Sequence, residues 1–142
     1  MSTLNLVAVF VENKPGQTAR VTGIIAGAGV NLRWITVASS GAFGVMKFLV
    51  DKHEQAVQSL KQQGLMVSLL EVLGVEVENK PGTLQAVAEL LAANNINLDN
   101  CSGFVANNRA ILVIETHDLV RARSILQTQG LRLLTQEQML NL

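Results

Sequence analysis

The five residues Glu12-Asn13-Lys14-Pro15-Gly16 recur, unchanged and in order, as Glu78-Asn79-Lys80-Pro81-Gly82. A shift of 66 positions superposes them, and the register then holds without a gap. Val21 meets Val87, Asn31-Leu32 meets Asn97-Leu98, and Ala56 meets Ala122. Leu60 meets Leu126, and Gln63-Gly64-Leu65 meets Gln129-Gly130-Leu131. Self-similarity at one fixed period over such a span identifies an internal duplication. No Pro/Ser-rich linker lies between Leu65 and Val77. The reading therefore divides the chain into a first domain, residues 1–69, and a second, residues 70–142.

Each copy spells the same run of elements. Leu4 to Val11 and Leu70 to Val77 are rich in Val and Leu and read as strands. Pro15 and Pro81 follow at the turn before a helix, a place where a missing N–H costs nothing. Val21, Ile24, Ile25 and Ala28 then recur at helical spacing, as do Leu84, Val87, Ala88 and Leu91. Gly29 and Asn95 stand where a left-handed residue ends a helix. Second strands are expected over Val30 to Ala38 and Ile96 to Val105, and third strands over Phe43 to Val50 and Arg109 to Thr116. The turn residues Ser39-Ser40-Gly41 and Ala106-Asn107-Asn108 join them as hairpins. Asp51 and Asp118 are expected to cap a second helix in each copy, and Gly64 and Gly130 to stop it. Short last strands are expected at Leu65 to Leu69 and Leu131 to Thr135. The order is β-α-β-β-α-β, twice. That is the α+β, ferredoxin-like arrangement, an antiparallel sheet with both helices on one face.

Composition narrows the function. Apolar residues make up 49% of the chain and charged ones 15%, so a core is easily built. Net charge is zero and Tyr is absent, which disfavours nucleic-acid and anionic-membrane partners. The single Cys101 points to a reducing, cytoplasmic setting and is expected in the core. The first residues, Met1 to Leu6, carry no basic stretch of the kind that opens a signal peptide. No apolar run approaches the ~18 residues of a membrane span. His53, His117 and Cys101 lack metal-ligand spacing, and the two His read as solvated. Gly23, Gly27 and Gly29 do not form a dinucleotide fingerprint, and close helix packing is expected of them. Glu12, Glu71, Glu76 and Glu78 flank strand ends and form no evident acid/base pair. No catalytic, metal or cofactor constellation emerges, so a non-enzyme is expected.

The repeated turn is the sharpest candidate site. Free N–H groups of Gly16, Gln17 and Thr18 at a helix start suit a carboxylate or another anion, and Gly16 lets a ligand approach the backbone. Thr83 and Gly82 repeat the arrangement. Asn31 and Asn97 open the second strand and offer both donor and acceptor, which suits a zwitterion. The plain alternative is turn-and-cap chemistry, with each Asn a helix terminator.

With these residues in place the chain resembles the ACT-domain family, small regulatory modules that bind amino acids, once per copy and over nearly its whole length. In serine-binding members the ligand is held by a His-x-Asn-x-Pro-Gly turn and an Asn at the start of the second strand. The resemblance carries these roles onto Asn13, Gly16 and Asn31 in one copy and onto Asn79, Gly82 and Asn97 in the other. Val11 and Val77 stand at the family's His position, which turns the expectation from serine toward a more apolar amino acid or toward no ligand. Arg33 and Asp99 correspond two residues beyond the shared Asn, one suited to a carboxylate and the other to an ammonium. With Gln17 and Thr83 they are possible ligand contacts. The resemblance implies a non-catalytic sensor that binds a small amino acid at the interface of two ACT domains. Asn13 would pair with Asn97 and Asn79 with Asn31, and the signal would be changed packing or oligomerisation. It implies a homodimer and a metabolic enzyme partner. The other reading is a scaffold subunit for such an enzyme with degenerate sites.

Overall fold

The computed structural model describes residues 3–142, so whatever bears on Met1 and Ser2 lies outside the described residues. The chain falls into two compact units. The first is Asn5–Leu70 and the second is Glu71–Leu142 together with Thr3 and Leu4.

In the first unit β1 (Leu4–Glu12), α1 (Gln17–Gly27), β2 (Leu32–Ser40), β3 (Phe43–Val50) and α2 (His53–Gln62) lead into β4 (Met66–Glu78). β3 is central, pairing antiparallel with β1 through Val9 and Met46 and with β2 through Val37 and Met46. β4 flanks β1, giving the strand order β2-β3-β1-β4. Alternation along β1 sends Val7, Val9 and Val11 to the helix side, where Val21 and Ile25 of α1 and Ala56 and Leu60 of α2 close the core.

The second unit repeats this with the end of β4, α3 (Thr83–Ala93), β5 (Asn100–Ala106), β6 (Arg109–Glu115), α4 (Leu119–Thr128) and β7 (Arg132–Leu134). Its strand order is β5-β6-β4-β7, with antiparallel pairing throughout. The two cores match position for position at the 66-residue offset, Val50 and Leu133 apart. Val9 answers Val75, Val21 answers Val87, Phe48 answers Ile114 and Leu60 answers Leu126. The βαββαβ arrangement, antiparallel with helices on one face, is thus present in each copy.

Several local expectations change. The strands expected at Leu65 to Leu69 and Leu70 to Val77 are one continuous strand, β4. β5 begins at Asn100 rather than Ile96. Polar groups engage the preceding backbone instead: Thr116 Oγ1 donates to the Asn97 carbonyl at 2.8 Å, and Asp99 N–H donates to the Glu115 carbonyl at 2.8 Å. β2 begins at Leu32, with a register irregularity between Leu32 and Trp34. Arg33 therefore does not obey simple strand alternation.

Neither Asp caps a helix with its side chain. Lys52 holds the cap position of α2, and the Asp51 carboxylate accepts from Asn31 N–H at 2.9 Å. Asp118 holds the cap position of α4, but its carboxylate takes Arg121 at 2.9 Å. Gly23 and Gly27 have open space where a Cβ would stand, so neither serves close packing. Cys101 is exposed rather than in the core, although partial desolvation pushes its thiol pKa up. A further short helix, α5 (Gln136–Leu140), follows β7. Its start is a capping box, with Gln138 N–H donating to Thr135 Oγ1 at 3.2 Å and Thr135 N–H donating to Gln138 Oε1 at 2.9 Å.

Candidate functional site

Both Pro-Gly turns adopt the same backbone. Gly16 has φ 90° and Gly82 φ 89°, each left-handed at a helix start. An L side chain is strained there, which accounts for Gly in both copies. Neither helix start has a side-chain cap. The turn itself uses part of the N–H set that the sequence left free. Gln17 N–H donates to the Lys14 carbonyl at 3.4 Å and Thr83 N–H to the Lys80 carbonyl at 3.5 Å. Thr83 Oγ1 also donates to that carbonyl, at 3.1 Å.

The two turn Asn residues are not equivalent. Asn13 latches the β2–β3 hairpin: its N–H donates to the Ala42 carbonyl at 2.8 Å and its Nδ2 to the Gly41 carbonyl at 3.0 Å. The Asn79 side chain has no hydrogen-bond partner among the described residues. Val11 and Val77, at the family's His position, are buried in their cores.

Asn31 and Asn97 stand at the other end of the first helix of their units. Eleven residues of α1, at 1.5 Å each, put about 16 Å between a turn and the Asn of the same unit. No unit by itself brings its turn and its Asn together. Asn31 exchanges two bonds with Asp51, donating to its carboxylate and accepting from its N–H at 3.2 Å. Asn97 Nδ2 donates to Asp99 Oδ1 at 3.3 Å. Asp99 also pairs through Oδ2 with Nδ1 of the exposed His117, so that His, read as merely solvated, has a carboxylate partner. Arg33 is exposed at the β2 irregularity.

A larger feature lies in the second unit and was not singled out by sequence reasoning. A groove of about 710 Å³ runs beside the second turn, lined by Glu76, Lys80, Thr83, Val87, Glu89 and Leu90 and by Arg109 and Arg132. Glu76, only 11% exposed, binds both guanidiniums: Arg132 Nη1 at 2.9 Å and Arg109 Nε at 3.6 Å. Cross-strand register puts Glu76 opposite Arg132 and Glu78 opposite Arg109. Lys80 neutralises Glu78 at 2.9 Å and, with Arg109, holds its carboxyl below the usual range. At the 66-residue offset, Glu76, Arg109 and Arg132 replace Phe10, Phe43 and Met66. That switch of three apolar residues to two cations and an anion was the available signal. Among the described residues, no group of three or more His, Cys, Asp or Glu is placed to hold a metal ion.

The model of the ACT domain pair matches residues 1–142. The chain belongs to the ACT-domain family, as a pair of these regulatory, non-catalytic domains in one polypeptide. Its structure is similar to that of a Bacteroides thetaiotaomicron protein, with 26% identity, a TM-score of 0.92 and coverage of 99% of this chain and 98% of the other. It shares its fold with the regulatory subunit of aspartate kinase from Thermus thermophilus in its ligand-free form, at 14% identity, a TM-score of 0.61 and coverage of 87% and 91%. The Thermus flavus regulatory subunit gives 15% identity and a TM-score of 0.59 over 88% and 91%. No curated protein matches. No helix among the described residues is long and apolar enough to cross a membrane.

Proposed function

We propose that this chain is a cytoplasmic sensor that binds a small amino acid and passes the signal on by changed domain packing or oligomerisation. The observation that carries the reading is the repeated Pro-Gly turn. Two copies that have diverged widely keep Glu-Asn-Lys-Pro-Gly and the same left-handed Gly at a helix start. That geometry suits close approach of a carboxylate. The domains of the family bind ligands where one domain's turn meets another's second strand, so Asn13, Gly16, Asn79 and Gly82 would act with Asn31 and Asn97. Gln17, Thr83, Arg33 and Asp99 would be accessory contacts. Domains 1–69 and 70–142, a homodimer and a metabolic enzyme as the receiving partner complete the proposal. The aspartate kinase regulatory subunits that share the fold lend it weight.

The buried Val11 and Val77 favour a second reading, a scaffold subunit with degenerate sites. Calorimetry and thermal shift against the twenty amino acids, with a mass measurement of the oligomer, separate the two. Saturable binding of one or a few amino acids with a shift in melting or mass is expected. A flat response to all twenty leaves the scaffold reading standing.

A further inference from the structure

We infer that the groove between α3 and β7 of the second unit is a binding site for a zwitterionic amino acid with an aliphatic side chain, and that the corresponding groove of the first unit is not. The inference rests on the amino-acid-binding reading but places the ligand in this groove rather than at Asn31 and Asn97, and it adds a stoichiometry and a chemistry.

The charges of the second groove sort into a pattern. Arg109 and Arg132 share one carboxylate, Glu76, so the trio carries one positive charge in excess. Each guanidinium has five N–H donors in a rigid fork, and Glu76 occupies only part of each. Because Glu76 is 11% exposed while Arg109 and Arg132 are 41% and 59% exposed, the carboxylate anchors both forks from beneath. This is a preorganised cradle for a ligand carboxylate. Glu78 and Lys80 cancel each other. Glu89 is held only by a neutral amide, Gln85 Nε2 at 3.1 Å, and retains acceptor capacity for an ammonium. Val77 and Val87 are buried in the groove wall, and Ala86, Leu90 and Leu131 complete an apolar lining. Excess positive charge, an acceptor carboxylate and an aliphatic wall are the three parts such an amino acid requires. The volume of about 710 Å³ falls in the ordinary range for small-molecule sites.

The first unit is the internal control. Its corresponding groove measures about 330 Å³ and is rimmed by Phe10, Phe43 and Met66. One guanidinium, Arg20, lines it and donates to the Gln63 carbonyl at 3.4 Å. Gly23 stands where the second copy has Glu89. The paired cations and the ammonium acceptor are both missing there.

The test is calorimetry on the full chain with the amino acid that gives the largest response among the twenty, and with the 2-oxo acid of the same side chain. One ligand per chain is expected. Arg132→Met should raise Kd at least tenfold, and Arg132→Lys severalfold, because Lys keeps the charge and loses the fork. Met66→Gln, the same position in the other copy, should change Kd less than twofold. The 2-oxo acid should bind at least tenfold more weakly than the amino acid, a preference that Glu89→Gln should erase. Melting curves identify any variant that fails to fold, and Arg132→Lys then carries the decision. Two ligands per chain, or an affinity untouched by both Arg132 substitutions but lost in Asn31→Ala or Asn97→Ala, overturns this site and leaves the general reading intact. No heat from any amino acid overturns both.

Discussion

Phe10, Phe43 and Met66 occupy in the first copy the positions that Glu76, Arg109 and Arg132 occupy in the second. Both sets lie on the same strands of the same fold. Phe10, Phe43 and Met66 are 46%, 69% and 71% exposed, so the first copy presents apolar side chains to its surroundings. The second presents a carboxylate bound by two cations. Beneath these rims the cores correspond almost residue for residue. A duplicated domain can therefore diverge at one groove while its core is kept, because these rim side chains stand outside the matched apolar clusters.

The largest effects should be equal in the two copies. Leu60→Ala and Leu126→Ala remove matching, fully buried side chains, one in each core. Each is expected to cost about 2–5 kcal/mol in urea unfolding. The only Trp, Trp34, lies in the first unit, so its fluorescence reports that unit while circular dichroism reports both. A cost confined to one of the two variants breaks the equivalence of the cores.

The rims should then separate the copies. Glu76→Gln leaves Arg109 and Arg132 without their shared anion and is expected to cost about 1–3 kcal/mol, reduced from the fully buried case because both cations are partly exposed. Phe10→Gln, at the matching position, should cost under about 1 kcal/mol. Equal melting shifts for these two would show that the ion trio does not organise its groove.

The turns give a smaller contrast. Asn13→Ala removes the Nδ2 bond to the Gly41 carbonyl and should cost about 0.5–1.5 kcal/mol. Asn79→Ala removes no such bond and should be near neutral in stability. If Asn79 contacts ligand, its variant loses affinity instead. Denaturation and calorimetry on the pair distinguish a latch from a ligand contact.

The smallest effect is electrostatic. Glu78 titrates below its ordinary value, chiefly through its hydrogen bond with Lys80. A lowered folded-state pKa means that its contribution is complete above the unfolded value and is lost as pH falls through the folded one. Glu78→Gln should thus matter slightly at neutral pH and not at all in strong acid. Both groups are well exposed, so salt should weaken even the neutral-pH effect. Stability curves against pH at low and high salt check this.

Much of the fold was legible because it depends on short-range rules. Richness in Val and Leu marked β1, helical spacing marked α1 and α3, and Gly29, Asn95, Gly64 and Gly130 ended helices with the positive φ expected of them. The errors arose where polar side chains chose among several backbone partners. Asp51 has the sequence position of a cap and instead accepts from Asn31, twenty residues away. The late start of β5 follows from the hydrogen bonds of Thr116 and Asp99, which periodicity does not record. Thr135 and Gln138 have the spacing of the capping box that opens α5, but the apolar run before them reads equally as strand through Thr135.

The sequence by itself determined the duplication, the β-α-β-β-α-β order within each copy and the two Pro-Gly turns. Identical local patterns impose identical local structure, and a left-handed turn position demands Gly wherever it recurs. Only the tertiary structure decided what Glu76, Arg109 and Arg132 do together. They are separated by 33 and 23 positions along the chain, and antiparallel pairing of β4 with β6 and β7 sets them side by side. Tertiary structure likewise decided that Asn13 ties a hairpin while Asn79, identical in sequence context, has no hydrogen-bond partner among the described residues. A side chain's partner is fixed by which strand edge arrives beside it, and that is a property of the assembled sheet.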